Sequence, residues 1–186
     1  MPNWCANTAI LKHTDPAMIA RARAGAVSGL LNEFIPVPKP LMETVSGHMG
    51  SGYEQELNQF KMQLNLKYFG YKDWYDFCTN EWGTKWDVTG DAQDHDDGVM
   101  IVFDSAWAPP IAAYEKLVDM GFELAAKYYE PGCAFVGEWV NGEDMLFEIQ
   151  GNSDWVIDNI PEHLDEAFAI SENMAQWEEE NEEERE

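Results

Sequence analysis

From Trp4 to Lys12 apolar residues fall on both faces of an extended chain: Ala6, Thr8 and Ile10 on one, Cys5, Ala9 and Leu11 on the other. A strand apolar on both sides belongs inside a sheet. His13-Thr14-Asp15-Pro16 then signals a helix start, with Thr14 or Asp15 as cap and Pro16 in the first turn. The period continues through Met18, Ile19, Ala22, Ala26, Leu30 and Leu31, interrupted by Gly25 and Gly29, and stops before Phe34-Ile35. Pro36, Pro38 and Pro40 make an extended crossing, because proline forbids helix continuation. Thr44 to Gly52 is polar and glycine-rich and reads as a loop.

A second helix is predicted over Tyr53 to Tyr68, with Leu57, Phe60, Leu64 and Lys67 or Tyr68 as its apolar stripe. The stretch Gly70 to Val88 organises the rest. Trp74, Phe77, Cys78 and Trp82 share one helix face, Asp73 caps the start and Gly83 the end. Lys85 to Thr89 is predicted as a second strand, Gly90 to Gly98 as a turn, and Val99 to Phe103 as a third strand. A helix from Pro110 to Met120 stops at Gly121, and Phe122 to Tyr129 forms a fourth strand. Cys133–Val140 and Met145–Ile149 read as a hairpin on Asn141-Gly142. Gln150 to Asn159 is a connector, Pro161 to Trp177 a last helix, and Glu178 to Glu186 a charge block predicted to fray.

The order is β-α-(αα)-β-β-α-β-β-β-α. Without the helical pair it is β-α-β-β-α-β, the ferredoxin-like pattern, which makes an α+β fold with an antiparallel sheet. The expected organisation is a domain over 1–149 with a helical insertion at about 53–83, a connector and helix over 150–177, and an acidic tail over 178–186.

Charge changes this picture most. The formal net charge of the 186-residue chain is −24. Residues 1–90 hold 8 Lys/Arg against 9 Asp/Glu, whereas residues 91–186 hold 3 against 26. Such an acidic half repels nucleic acid and anionic membrane and attracts basic surfaces. Three cysteines, Cys5, Cys78 and Cys133, in no CxxC spacing fit reduced thiols in a cytosolic protein.

Five pieces in order, MPNWCANT, FIPVPKP, GYKDWYDFCTNEWGTKWD, FDSAWAPP and YYEPGCAFVGEW, resemble the YubB-type ferredoxin-like family of phages, conjugative plasmids and genomic islands. The resemblance covers about residues 1–149. It implies a ferredoxin-like domain of mobile-element origin and no particular reaction.

Candidate chemistry is sparse. Asp91, Asp94, His95, Asp96 and Asp97 echo a calcium loop, but the remaining ligand spacing and distal Glu are missing. The four histidines share no zinc spacing. There is no phosphate-cradling loop, no GxSxG and no HExxH, so neither catalytic residues nor a cofactor are assigned. The expected function is a non-enzymatic accessory protein. Its acidic face would comprise Asp91, Asp94, Asp96, Asp97, Glu143, Asp144, Glu148, Asp154, Asp158, Glu162, Asp165 and Glu166. Its expected partner is a basic host protein, such as a nucleic-acid-binding defence component, which it would block by imitating phosphate charge. The alternative is a ligand or catalytic groove lined by Trp82, Thr84, Lys85, Trp86, Asp104 and Trp107, for which the competing reading is aromatic packing.

Overall fold

The computed structural model describes residues 3–50, 52–96 and 98–183. Among them, six strands form one open antiparallel sheet in the order β2-β3-β1-β4-β5-β6. The strands are β1 (Trp4–Lys12), β2 (Gly90–His95), β3 (Gly98–Ala106), β4 (Glu123–Glu130), β5 (Phe135–Val140) and β6 (Glu143–Glu148). The helices are α1 (Pro16–Ser28), α2 (Leu30–Phe34), α3 (Lys39–Met42), α4 (Tyr53–Phe69), α5 (Trp74–Glu81), α6 (Ile111–Asp119), α7 (Ser153–Asn159), α8 (Glu162–Phe168) and α9 (Ile170–Glu183).

The two-sided apolar character of Trp4–Lys12 is explained by its place: β1 is central, paired with β3 and β4. On one face, Cys5, Ala9 and Leu11 meet Ile101 of β3 and Leu124 of β4 beneath Ala22 of α1 and Leu117 of α6. This is the main core, and Phe77, Cys78 and Trp82 from α5 and its end complete it. On the other face a second cluster joins Val136 of β5 to Val156, Ile160, Leu164 and Ile170. Helices α7–α9 therefore lie across the sheet from α1 and α6. Asn141 and Gly142 take φ of 46° and 105° between β5 and β6, as the tight hairpin turn requires.

Several expectations are corrected. The second strand is Gly90–His95, not Lys85–Thr89, and of the expected turn only Asp96 remains a turn among the described residues. As a sheet edge, β2 needs only backbone pairing to β3, and its polar side chains hid it. Residues 84–89 instead bury Thr84 and Val88 and hold α2. The first helix breaks at Gly29, where φ is 127°. The proline crossing carries the short helix α3. The connector contains α7, capped by Asn152, which accepts from the Trp155 N–H. The last helix breaks at Ala169, whose φ is 49°, and α9 runs on to Glu183 where a frayed tail from Glu178 is expected, residues 184–186 of that tail lying outside the described residues.

Candidate functional site

Five strand steps separate the two sheet edges, about 24 Å at the usual strand spacing, so the twelve predicted carboxylates do not form one wall. Asp91 lies on β2 and pairs in register with Val102, on the sheet face turned away from α1. Asp94 has the opposite orientation and makes a 2.5 Å ion pair with Arg23 of α1. Asp96 sits in the turn with φ 43°, and Asp97 lies outside the described residues. Glu143, Asp144 and Glu148 belong to β6, at the far edge. Carboxylates on both edges give them a ready physical role, since charge on an edge strand deters pairing with another chain. Asp144 has a further task, accepting from the Tyr128 hydroxyl at 2.6 Å.

The remaining predicted carboxylates come together on the second helical layer. Asp154 and Asp158 are one turn apart on α7, and Glu162 and Glu166 are one turn apart on α8. All four are exposed and have no hydrogen-bond or ion-pair partner among the described residues. Asp165, by contrast, is spent on fold geometry: it accepts from the Ser171 N–H at 2.7 Å and hydroxyl at 2.5 Å, tying α8 to α9. Glu178 performs the same service for α7 through the Ser153 N–H and hydroxyl at 3.0 and 2.7 Å. Sequence reading assigned Glu178 to a loose tail, and only its distance from Ser153 in space reveals the clamp. From Tyr128 through Glu183 there are 16 carboxylates and no Lys or Arg. Lys127 borders this layer, donating to the His163 carbonyl at 2.8 Å, while His163 approaches Glu138 at 3.1 Å.

The predicted aromatic groove is partly dissolved and partly assembled. Trp82 and Thr84 are core: the Trp82 indole donates to the Ile35 carbonyl at 3.0 Å, and both side chains are buried. Lys85, Trp86 and Trp107 do meet, joined by Trp4 and Tyr75, which sequence reading had not included. The Lys85 ammonium lies 4.6 Å from the Trp86 ring, 5.6 Å from Trp107 and 5.8 Å from Tyr75. Trp4 and Trp86 have ring centroids 6.0 Å apart. The even spacing of Trp4 with Ala6 and Thr8 was the signal that could have placed it on the open sheet face.

Trp107 is held by a buried polar network. The Asn7 amide donates to Ser105 Oγ at 2.8 Å, and Ser105 donates to the Ala108 carbonyl at 2.7 Å. Thr84 bonds both backbone groups of Ala106. Between these anchors Trp107 takes φ 68° and donates its N–H to Asn3 at 2.9 Å. A bulky residue in that region costs about 1–3 kcal/mol, which the flanking bonds sustain. Asp104 stands beside this corner, lining a cavity of about 270 Å³ with Trp4, Asp87 and Thr89.

Nucleophile chemistry finds little support. Burial pushes the Cys5 and Cys78 thiols up to about 12, so both stay protonated at neutral pH. Cys133 is exposed, but the Glu130 carboxylate beside it raises its thiol as well. Among the described residues no group of three His, Cys, Asp or Glu side chains is placed to hold a metal. Nor is any described helix long and apolar enough to cross a membrane. Comparison with protein-family models, curated proteins and solved structures finds no match for this chain.

Proposed function

We propose that this chain is a non-enzymatic binding protein that presents the α7–α8 carboxylates to a basic protein surface. One observation carries the reading: the stretch of sequence from Tyr128 to Glu183, which includes α7–α9, holds 16 carboxylates without a single Lys or Arg. Asp154, Asp158, Glu162 and Glu166 stand on helices with no ion-pair partner among the described residues. Repeats of one turn advance about 6 Å along a helix, so each helix holds its pair of charges at a fixed spacing. A Lys/Arg-lined groove that holds nucleic acid by its phosphates would accept such charges as a substitute. The edge carboxylates of β2 and β6 widen the field and steer association without belonging to the contact.

The sheet order β2-β3-β1-β4 with α1 and α6 supports a ferredoxin-like core, extended by the β5–β6 hairpin and α7–α9. The YubB-type resemblance supports a phage or plasmid origin; the unpaired cysteines support a cytoplasmic setting in the host, and the charge supports a defence or nucleic-acid-handling protein as partner. The test is retention from host extract at low salt, with identification of what is held. The comparison protein carries Asp154→Asn, Asp158→Asn, Glu162→Gln and Glu166→Gln. A retained basic protein that duplex DNA displaces is expected, with affinity lowered about ten- to hundredfold in the quadruple variant and by added salt. No retained basic protein, or equal retention by the variant, refutes the proposal.

A second reading rests on the corner of Trp4, Trp86, Trp107 and Lys85. Trp107 held at positive φ is the kind of stored strain found at ligand sites. The adjoining cavity of about 270 Å³ falls below the usual range for small-molecule sites, so the interface reading is preferred. Thermal shift with a metabolite and nucleotide panel, in the intact protein and in Trp107→Ala, separates the two.

A further inference from the structure

Helix α4 turns inward the opposite residues from those a core helix would bury. Its buried side chains are Asn58 and Asn65, seven residues apart. Asn58 pairs with both backbone groups of Val45, at 3.1 and 3.0 Å. Asn65 donates to the Pro40 and Lys72 carbonyls at 3.2 Å each. The apolar stripe points outward: Tyr53, Leu57, Phe60, Leu64 and Tyr68 are 76, 40, 58, 38 and 69% exposed. Their spacing of four, three, four and four residues is that of a helix seam. Beside the stripe lies a cavity of about 320 Å³, lined by Lys61, Leu64, Asn65 and Tyr68 with Pro40, Glu43 and Phe69 around them. Residues i, i+3, i+4 and i+7 form the hole that receives one side chain of a facing helix.

We propose that the occupant is a second copy of this chain, with α4 packed antiparallel on α4 about a two-fold axis. Phe60 of each copy then enters the hole of the other, as an isologous contact requires. Charge permits this surface. The net charge of −24 comes almost wholly from residues 91–186, whereas residues 39–72, in the nearly neutral first half, hold four lysines and three glutamates. Within α4 the glutamates, Glu54 and Glu56, stand in the first turn and Lys67 in the last. Antiparallel copies set each acidic end against a basic one. The acidic layer α7–α9 lies on the opposite face of the sheet, so the two strongly charged regions stay apart. The exposed stripe offers about 550 Å² per copy, taking ordinary side-chain areas. Doubled across the axis, that reaches about 1,100 Å², near the lower end for specific interfaces, so a concentration-dependent dimer is expected.

Sedimentation equilibrium of the full chain across a wide concentration range tests this independently of the acidic-layer reading. The expected result is a monomer–dimer equilibrium that tightens with salt, because screening removes repulsion between like-charged copies. Binding of a basic partner must weaken with salt, so the two proposals fail separately. Phe60→Glu should raise the dimer dissociation constant at least tenfold while the helical circular dichroism is unchanged. Lys67→Glu should weaken the dimer, and adding Glu56→Lys should restore it. A wild-type chain that stays monomeric throughout overturns the proposal. So does a Phe60→Glu protein that pairs as well as wild type, a charge swap that restores nothing, or a monomer whose stripe is covered only by another protein.

Discussion

Gly29→Ala is expected to destabilise the protein through a residue 58 positions downstream. Gly29 is the N-cap of α2 and supplies no side-chain cap. The exposed helix donors are met from elsewhere: Leu30 N–H bonds the Val88 carbonyl at 2.9 Å, and Leu31 N–H bonds Asp87 Oδ1 at 2.8 Å. Asp87 also accepts from Asn32 and from its neighbour Val88. A Cβ on Gly29 would stand 2.2 Å from Asp87 Oδ2, at a φ of 127° that L residues rarely adopt. The strained backbone alone costs about 1–3 kcal/mol. Pushing the carboxylate away from its donors adds about 1 kcal/mol of lost capping. Together these predict a loss of about 3 kcal/mol and a fall in Tm of about 6–12 °C. In an Asp87→Ala background the clash is absent, so Gly29→Ala should cost only the backbone strain. A chemical-denaturation double-mutant cycle should therefore show coupling of about 1 kcal/mol. Additive effects, or a Gly29→Ala protein as stable as wild type, refute the argument. Burial holds the Asp87 carboxyl above its ordinary value despite the hydrogen bonds it accepts. Its contribution is thus greatest below the unfolded pKa and is lost as pH rises through the higher folded value. Asp87→Asn keeps one acceptor and removes the titration. It should cost less than Asp87→Ala and flatten the acid-side stability profile.

Two further outcomes follow from close packing and from an ion pair. At Gly137, a Cβ would lie 2.4 Å from the Tyr128 hydroxyl and 2.5 Å from the Met145 carbonyl oxygen; Gly137→Ala should lose about 2–4 kcal/mol in urea unfolding, and a loss below about 1 kcal/mol would deny that the ring is fixed there by Asp144. Burial raises the Glu81 carboxyl, but hydrogen bonds from Lys116 and Tyr71 and the lysine charge outweigh it and leave it below its ordinary value; that stabilisation is present above the unfolded pKa and lost as pH falls through the folded one, so thermal melts of Lys116→Met should show a smaller loss of stability below pH ~4.5 than wild type, whose own decline must exceed it.

How much could be read from the chain depended on which interaction fixed each segment. β1 was legible because a central strand is apolar on both sides. Helix α5 was legible because Asp73 caps it, accepting from the Asp76 N–H at 2.8 Å, and three large apolar side chains mark its inner face. The hairpin was legible because Asn141-Gly142 permits only a few backbone conformations. β2 was not, since an edge strand of Asp91, Gln93 and His95 has no apolar face to show. The break at Ala169 has no glycine to announce it. It is held by Asp165 reaching Ser171, a pairing that local propensity cannot foresee. For the candidate sites the same division applies. Helical period could bring Asp154 near Asp158, and Glu162 near Glu166, but sheet order alone separates β2 from β6. The stripe of α4 was equally plain in sequence, but whether it faced the core depended on Asn58 and Asn65 finding backbone partners.

Those two asparagines also explain why the apolar stripe is left available. An Asn in place of Leu at both contact points attaches α4 by directional bonds, which satisfy buried backbone groups that water would otherwise need to reach. The helix thereby gains a defined orientation without using its apolar residues. The same economy governs the other side of the sheet. There Asp165 and Glu178 each fix a neighbouring helix, and the carboxylates of Asp154, Asp158, Glu162 and Glu166 make no hydrogen bond or ion pair among the described residues. Each face thus separates the groups that hold it in place from the groups it displays. The displayed groups differ in kind, apolar and nearly neutral on α4, anionic on α7 and α8, with the sheet between them. Salt pulls the two in opposite directions, loosening contacts made by the second and tightening those made by the first. An α4 carrying carboxylates as densely as α7 and α8 do, with no lysine among them, could not present a nearly neutral seam to its own copy while the other side of the sheet offered its negative surface to a basic partner.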